Sequence, residues 1–131
     1  MSSNNVLIVD DEEMVAELVE AIVKRVCPSA VITRCANKDQ ALKAIRASST
    51  NGNAFDLEIT DFKIPNGEEG LEIAELTRSL TPTTRIIVMS GTMDEVHKVY
   101  TPADYYLKKP FYVEEATEMI TLLLYDMSVR R

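Results

Sequence analysis

A doubly wound α/β domain is predicted by three features of the sequence. Short apolar runs alternate with segments of helical period from one end of the chain to the other. The runs are continuous rather than alternating, as in a parallel sheet covered on both faces. Four of them stop at a charged or hydroxyl group, as a sheet with one working edge would. Val6-Leu7-Ile8-Val9 stops at Asp10 and Asp11, and Ile86-Ile87-Val88-Met89 stops at Ser90. Tyr105-Tyr106-Leu107 stops at Lys108-Lys109-Pro110. Phe55-Asp56-Leu57-Glu58-Ile59-Thr60-Asp61 runs into a loop, Phe62-Lys63-Ile64-Pro65-Asn66-Gly67.

The elements follow in order. After Asp11, Met14, Val15, Leu18, Ile22 and Val26 recur at helical spacing, with Glu13, Glu17, Glu20 and Lys24 on the wet side and Pro28 as the stop. Val31-Ile32-Thr33-Arg34-Cys35 reads as the second strand. Asn37 followed by Gln40 reads as a capping box for a helix with Ala41, Leu42 and Ile45 inward. Residues 48–53, Ser-Ser-Thr-Asn-Gly-Asn, read as a polar loop. A third helix is expected over 71–80, stopped by Pro82, a short fourth over 94–100, and the last over 113–127. That makes five strand–helix repeats, a single domain over 1–131 with its core at about 5–127, and no output domain.

Composition narrows the function. A net charge of -7 disfavours direct nucleic-acid binding and suits acidic clusters that take a cation. Two cysteines, Cys27 and Cys35, are too few for a disulfide framework or a zinc site, and read as reduced structural thiols. The polar start and the lack of a long apolar stretch predict a cytoplasmic protein without a membrane segment.

In doubly wound sheets ligands sit beyond the carboxyl ends of the strands, where strand order reverses. That rule puts Asp10, Asp11, Asp61, Ser90 and Lys109 on one rim. Like charges about 4 Å apart cost on the order of 4 kcal/mol per pair at an effective dielectric near 20. A hard dication with oxygen ligands removes that cost, and Mg²⁺ is the usual choice beside a phosphate. Taken alone, Asp10 and Asp11 read equally well as acids at a helix start, Ser90 as a turn residue and Lys109 as a surface lysine. Together they suit phosphoryl transfer to Asp61, with the ammonium of Lys109 near both the carboxylate and the incoming phosphoryl oxygens. Lys109 precedes Pro110, so a cis bond is open to it.

Over about residues 5–127 the chain resembles a response-regulator receiver domain of the single-domain, CheY-like type. The resemblance rests on Val9-Asp10-Asp11-Glu12, on Asp56-Leu57 through Asp61 with Pro65 four residues later, on Ser90-Gly91, and on Tyr106-Leu107-Lys108-Lys109-Pro110-Phe111. It implies a flavodoxin-like sheet of order 2-1-3-4-5. It also implies a phosphorelay role, in which a histidine kinase or histidine phosphotransfer protein phosphorylates Asp61 and a downstream protein reads the result. Asp10, Asp11, Asp61 and the backbone carbonyl of Lys63 would hold Mg²⁺. Ser90 and Lys109 would bind phosphoryl oxygens, and Ser90 with Tyr106 would form the switch. Such a chain is no conventional enzyme, and catalyses only its own Mg²⁺-dependent phosphorylation and dephosphorylation.

Some positions depart from that pattern. The glycine that opens the third helix, Gly70, comes one residue late, and Ser90 and Lys109 are closer than usual, which shortens the fourth helix. Glu58 and Thr60 stand where the central strand is normally apolar, and Glu58 needs a partner or a raised pKa. Lys63 and Thr92 flank the path of a water attacking the acyl phosphate, where fast receivers carry an amide and an acid, so a long-lived phosphoryl group is expected. Met119, Ile120, Leu122, Leu123 and Leu124 are too many for one helix face. Either an apolar strip serves a partner or a homodimer through the fourth- and fifth-helix face, or the helix is simply overpacked. A haloacid dehalogenase-type phosphatase would need an acid where Lys63 stands, and a dinucleotide site would need glycines where Asp10-Asp11-Glu12-Glu13 stands. The rival reading is a nonphosphorylated receiver-like interaction module, which would usually lack an acid or the lysine.

Overall fold

The computed structural model describes residues 4–64, 69–91 and 103–125. Its elements in chain order are β1 (Asn5–Val9), α1 (Glu13–Val26), β2 (Val31–Cys35), α2 (Lys38–Thr50), β3 (Leu57–Asp61), α3 (Glu69–Leu80), β4 (Arg85–Ser90), β5 (Tyr105–Lys108) and α4 (Val113–Tyr125). The helix expected over 94–100, with His97, lies outside the described residues. So do Pro65, Asn66, Gly67, Thr92 and the end of the chain after residue 125. No helix among the described residues is long and apolar enough to cross a membrane.

The strands form one parallel sheet in the order β2-β1-β3-β4-β5, as expected. Side chains alternate across a strand, so each strand feeds two cores. Val6, Ile8, Leu57, Ile59, Ile87, Met89 and Leu107 pack with the inner faces of α1 and α4. On the opposite face Leu7, Val9 and Cys35 pack with Ala41, Ile45 and Ile73 from α2 and α3. Beside them Ile86 and Val88 pack with Phe62 and Ala74. Burial of each large aliphatic side chain contributes roughly 1.5–3 kcal/mol, which ties the helices to the sheet.

Two local expectations change. The inward stripe of α1 is Ala16, Val19, Ile22 and Val23, whereas Met14 is 82% exposed and Leu18 42%. Ile22 is buried and Val15 and Val26 pack against the core as expected, so the change is that Ala16, Val19 and Val23 turn inward in place of Met14 and Leu18. The chain at 48–50, expected to be loop, continues α2: the Ser48 hydroxyl donates to the Ile45 carbonyl at 2.8 Å, so a serine that could leave the helix bonds back into it. The turn follows at Gly52, whose φ of 74° favours glycine. The capping box at the start of α2 forms, with Asn37 Oδ1 accepting from the Gln40 amide at 2.9 Å. The Gln40 side chain accepts in turn from the Ala36 amide at 2.8 Å.

Gly70 stands where α3 meets the end of β3. Its amide donates to the Phe62 carbonyl at 3.0 Å, closing the start of α3 onto the end of β3. A Cβ at this position would overlap the Asp61 carbonyl oxygen and lie 2.8 Å from that of Phe62. Backbone cannot yield as a side-chain tip can, so Gly70→Ala should destabilise the fold by about 1–3 kcal/mol or more. A urea unfolding midpoint unchanged from the parent would show that α3 has no such close seat on β3.

Candidate functional site

β1 and β3 lie side by side with Val9 opposite Thr60, so the next residues along, Asp10 and Asp61, meet at the carboxyl edge. The strand order reverses here, because β2 lies to one side of β1 and β3 to the other. Asp10 and Asp61 are buried and Asp11 is exposed, and one carboxylate oxygen from each lies within 4.8 Å of the others. Asp10 is held from both sides. Its Oδ1 accepts from the Glu12 amide at 2.9 Å, and its own amide donates to the Cys35 carbonyl at 3.1 Å.

Lys109 reaches this cluster from the end of β5. Its Nζ lies 3.2 Å from Asp10 Oδ2, 3.4 Å from Asp61 Oδ2 and 3.1 Å from Glu12 Oε1. The Lys109 amide donates to the Ser90 carbonyl at 2.7 Å, which joins the ends of β4 and β5, and the Lys109–Pro110 bond is cis. Glu12 is an addition to the lysine's partners that the sequence did not reveal, since it follows the acids in a helix cap.

Charge crowding marks the site. Burial, and then the neighbouring Asp10, push the Asp61 carboxyl up to about 6 against the lowering pull of Lys109. Burial also raises Asp10, more than the Glu12 amide and Lys109 lower it. For Lys109 burial favours the neutral amine, yet Asp61 and Asp10 outweigh it and hold the ammonium above its ordinary value. A single ammonium does not balance three acids. The surplus negative charge on hard oxygen donors fits a dication such as Mg²⁺.

Ser90 is buried at the end of β4, one position beyond Met89, the register partner of Asp61. Tyr106 is half-buried against the cluster containing Phe62, Ala74, Ile86 and Val88. Lys63 is exposed just beyond Asp61, and Lys108 is exposed beside Lys109.

The family model for the response regulator receiver domain matches residues 6–121. The chain belongs to this family, the receiver domains of two-component systems. It is 35% identical to the regulatory protein VanR of Enterococcus faecium over 112 residues, covering 83% of this chain and 45% of that one. This receiver spans about half the length of the curated relatives it matches. Among solved structures, the CheY-like receiver domain protein of Methanospirillum hungatei JF-1 superimposes with a TM-score of 0.78 at 25% identity, covering 99% of this chain and 100% of that one. The response regulator TrrA of Thermotoga maritima, solved in complex with Mg(2+)-BeF, gives 0.75 at 27% identity over 92% of this chain and 99% of that one.

A carboxyl raised in the folded state keeps its proton to higher pH than in the unfolded chain. Its contribution to stability is full below about pH 4 and is lost as pH rises through about 6. Asp61→Asn removes that titration. In chelator it should therefore be more stable than the parent above pH 6 by about 1–3 kcal/mol, with the gap closing toward pH 4. Thermal melts across this range test it, and a gap independent of pH would show that Asp61 is not electrostatically strained.

Proposed function

We propose that this receiver is a phosphoacceptor of a His–Asp phosphorelay, with Asp61 as the acceptor. The observation that carries the reading is the triple contact of Lys109 with Asp61, Asp10 and Glu12 beside a crowded acid cluster. An Asp61 carboxylate oxygen forms a bond to phosphorus as the N–P bond of a phosphohistidine breaks, and the imidazole leaves. Lys109 is close enough to hold Asp61 ionised before transfer and to bind a phosphoryl oxygen afterwards. Ser90, at the adjacent strand end, donates its hydroxyl to another. Asp10, Asp11, Asp61 and the backbone carbonyl of Lys63 would hold Mg²⁺. When bound, the ion would supply charge neutralisation beside the acceptor carboxylate.

Tyr106 follows the Ser90 hydroxyl and passes the change to the surface of β5. The domain acts on no other substrate and catalyses only its own phosphorylation and dephosphorylation in the cytoplasm. The expectation of a long-lived phosphoryl group rests on Lys63 and on Thr92, which lies outside the described residues.

The donor is a histidine kinase or histidine phosphotransfer protein. Its approach is supported by an apolar groove beside Lys109, lined by Val15, Leu18, Pro110 and Phe111. This accounts for the outward turn of Leu18. A downstream partner or a second copy is supported by a shallow groove between β5 and the last helix, lined by Tyr105, Met119 and Leu122, with Tyr105 and Leu122 exposed.

Mg²⁺ at a hundred times its dissociation constant should stabilise the fold by about 2.7 kcal/mol, seen as a rise in melting temperature. Asp11→Ala should remove most of that rise, and an undiminished response would place the ion elsewhere. With acetyl phosphate and Mg²⁺ the parent should acquire a labile phosphoryl group that maps by mass to Asp61. Asp61→Asn should acquire none, and Lys109→Ala should be impaired while remaining folded. Label persisting on Asp61→Asn, or a parent that takes none, would overturn the assignment.

A further inference from the structure

Glu58 is the one acid of β3 that the phosphorylation chemistry leaves unused. It is fully buried, flanked across the sheet by Leu7 and Ile86, and its Oε2 has no hydrogen-bond partner among the described residues. Its Oε1 is in close hydrogen-bond contact with Thr77 Oγ1 on α3. The same hydroxyl lies 3.1 Å from the Ile73 carbonyl oxygen one turn earlier.

A threonine hydroxyl has one proton and a carbonyl can only accept. If Glu58 carries a proton, both contacts are used: Glu58 donates to Thr77, and Thr77 donates to Ile73. If Glu58 is ionised, Thr77 must turn its only proton from Ile73 to the carboxylate, and a charged oxygen stays buried without a donor. We propose that Glu58 is protonated in the folded receiver at neutral pH, and that the relay from Glu58 through Thr77 to the Ile73 carbonyl is a proton-dependent latch between β3 and α3.

The surroundings favour the neutral form. Leu7 and Ile86 flank Glu58 in the sheet, and Ala41 and Ile45 of α2 and Ile73 of α3 pack with Leu7 on this face. Cys35 of β2 is a titratable neighbour, itself raised by burial and by the Glu58 charge. The cation whose charge favours ionised Glu58 is Arg78. Its guanidinium is engaged by Asp104 Oδ2 at 3.0 Å and by the carbonyls of Pro82 and Thr84 at 2.8 and 3.1 Å. Burial is the largest influence and pushes the Glu58 carboxyl up to about 8, against the Thr77 contact and Arg78. The ordinary value is 4.5, so the folded state retains a proton that the unfolded chain has lost. The stability that the latch contributes is full below about pH 4.5 and is lost as pH rises through about 8. α3 also abuts the Asp61 backbone through Gly70, so the latch sets how firmly that helix is held against the strand carrying Asp61.

The latch does not depend on phosphorylation and is tested without it. In protein labelled with ¹³C at the glutamate side-chain carboxyl, one resonance should show the protonated-acid shift at pH 7 and titrate on the alkaline side. That resonance should be missing from Glu58→Gln. In urea, the unfolding equilibrium constant of the parent relative to Glu58→Gln should rise by up to about tenfold per pH unit between about pH 4.5 and 8, then level off. Amides of α3 should lose protection in the parent beyond the base-catalysed trend between about pH 4.5 and 8, and keep it in Glu58→Gln. The resonance is read in the parent itself, so a variant that fails to fold leaves the protonation state measurable. Glutamate carboxyls that all titrate in the ordinary range would overturn the protonated Glu58. A parent-to-variant ratio constant across the pH range, or α3 protection that follows the base-catalysed trend alone, would overturn the latch.

Discussion

The shared contact of Lys109 with Asp10, Glu12 and Asp61 is the constraint around which the carboxyl edge is organised. Two buried acids at adjacent strand ends would repel, and parallel pairing of β1 with β3 leaves them no freedom to separate. Bringing the lysine in from β5 requires the intervening β4 to end at the same level. The bond from the Lys109 amide to the Ser90 carbonyl secures this. The ammonium offsets part of the repulsion, and both buried carboxyls remain raised. The edge is therefore under electrostatic load that a cation would relieve, and the more so once a phosphoryl group adds its own negative charge. A site already balanced by its own residues would gain little from a cation.

Much of this edge was legible in the sequence because strand ends are marked twice, by the end of an apolar run and by the polar residue that follows. Asp10, Asp61 and Lys109 each met both criteria, and the rule that ligands gather where strand order reverses then brought them together. The helix faces were less legible. In α1 two overlapping apolar stripes satisfy helical spacing, one through Met14 and Leu18 and one through Ala16, Val19 and Val23. Hydrophobicity favours the first, since methionine and leucine outweigh alanine. Sheet geometry selects the second, because a helix seated closely on a sheet needs small and β-branched residues at the contact. Leu18 is left for the groove beside Pro110 and Phe111, and Met14 for solvent.

The partner of Glu58 was missed for a related reason. Thr77 occupies the inward stripe of α3 with Gly70, Ile73 and Ala74, a spacing that could have been read from the sequence. A lone threonine on an apolar stripe ordinarily satisfies itself by bonding back to the preceding turn, so it gives no sign that a carboxyl faces it. Pairing the two required the distance between β3 and α3, which depends on Gly70. The same close approach that puts the helix start against the Asp61 carbonyl brings Thr77 within reach of Glu58.

β3 thus carries two acids under opposite regimes only three residues apart. Asp61 lies at the edge, where Lys109 and an incoming cation can stabilise its charge, and its chemistry needs the ionised form. Glu58 lies within the sheet, where the strongest influence is the absence of water, and its hydrogen bonds are best completed by the neutral form. Alternation puts positions 58 and 61 on opposite faces of the strand but does not decide which of them carries a charge. Depth along the strand does. The carboxyl edge opens to solvent and to the lysine, and further in, the polar group that meets Glu58 is a single hydroxyl. A charge placed at Glu58 would have no route to compensation comparable with the one at Asp61. The strand therefore holds an ionisable group where ionisation is useful and a proton where the helix needs a fixed seat.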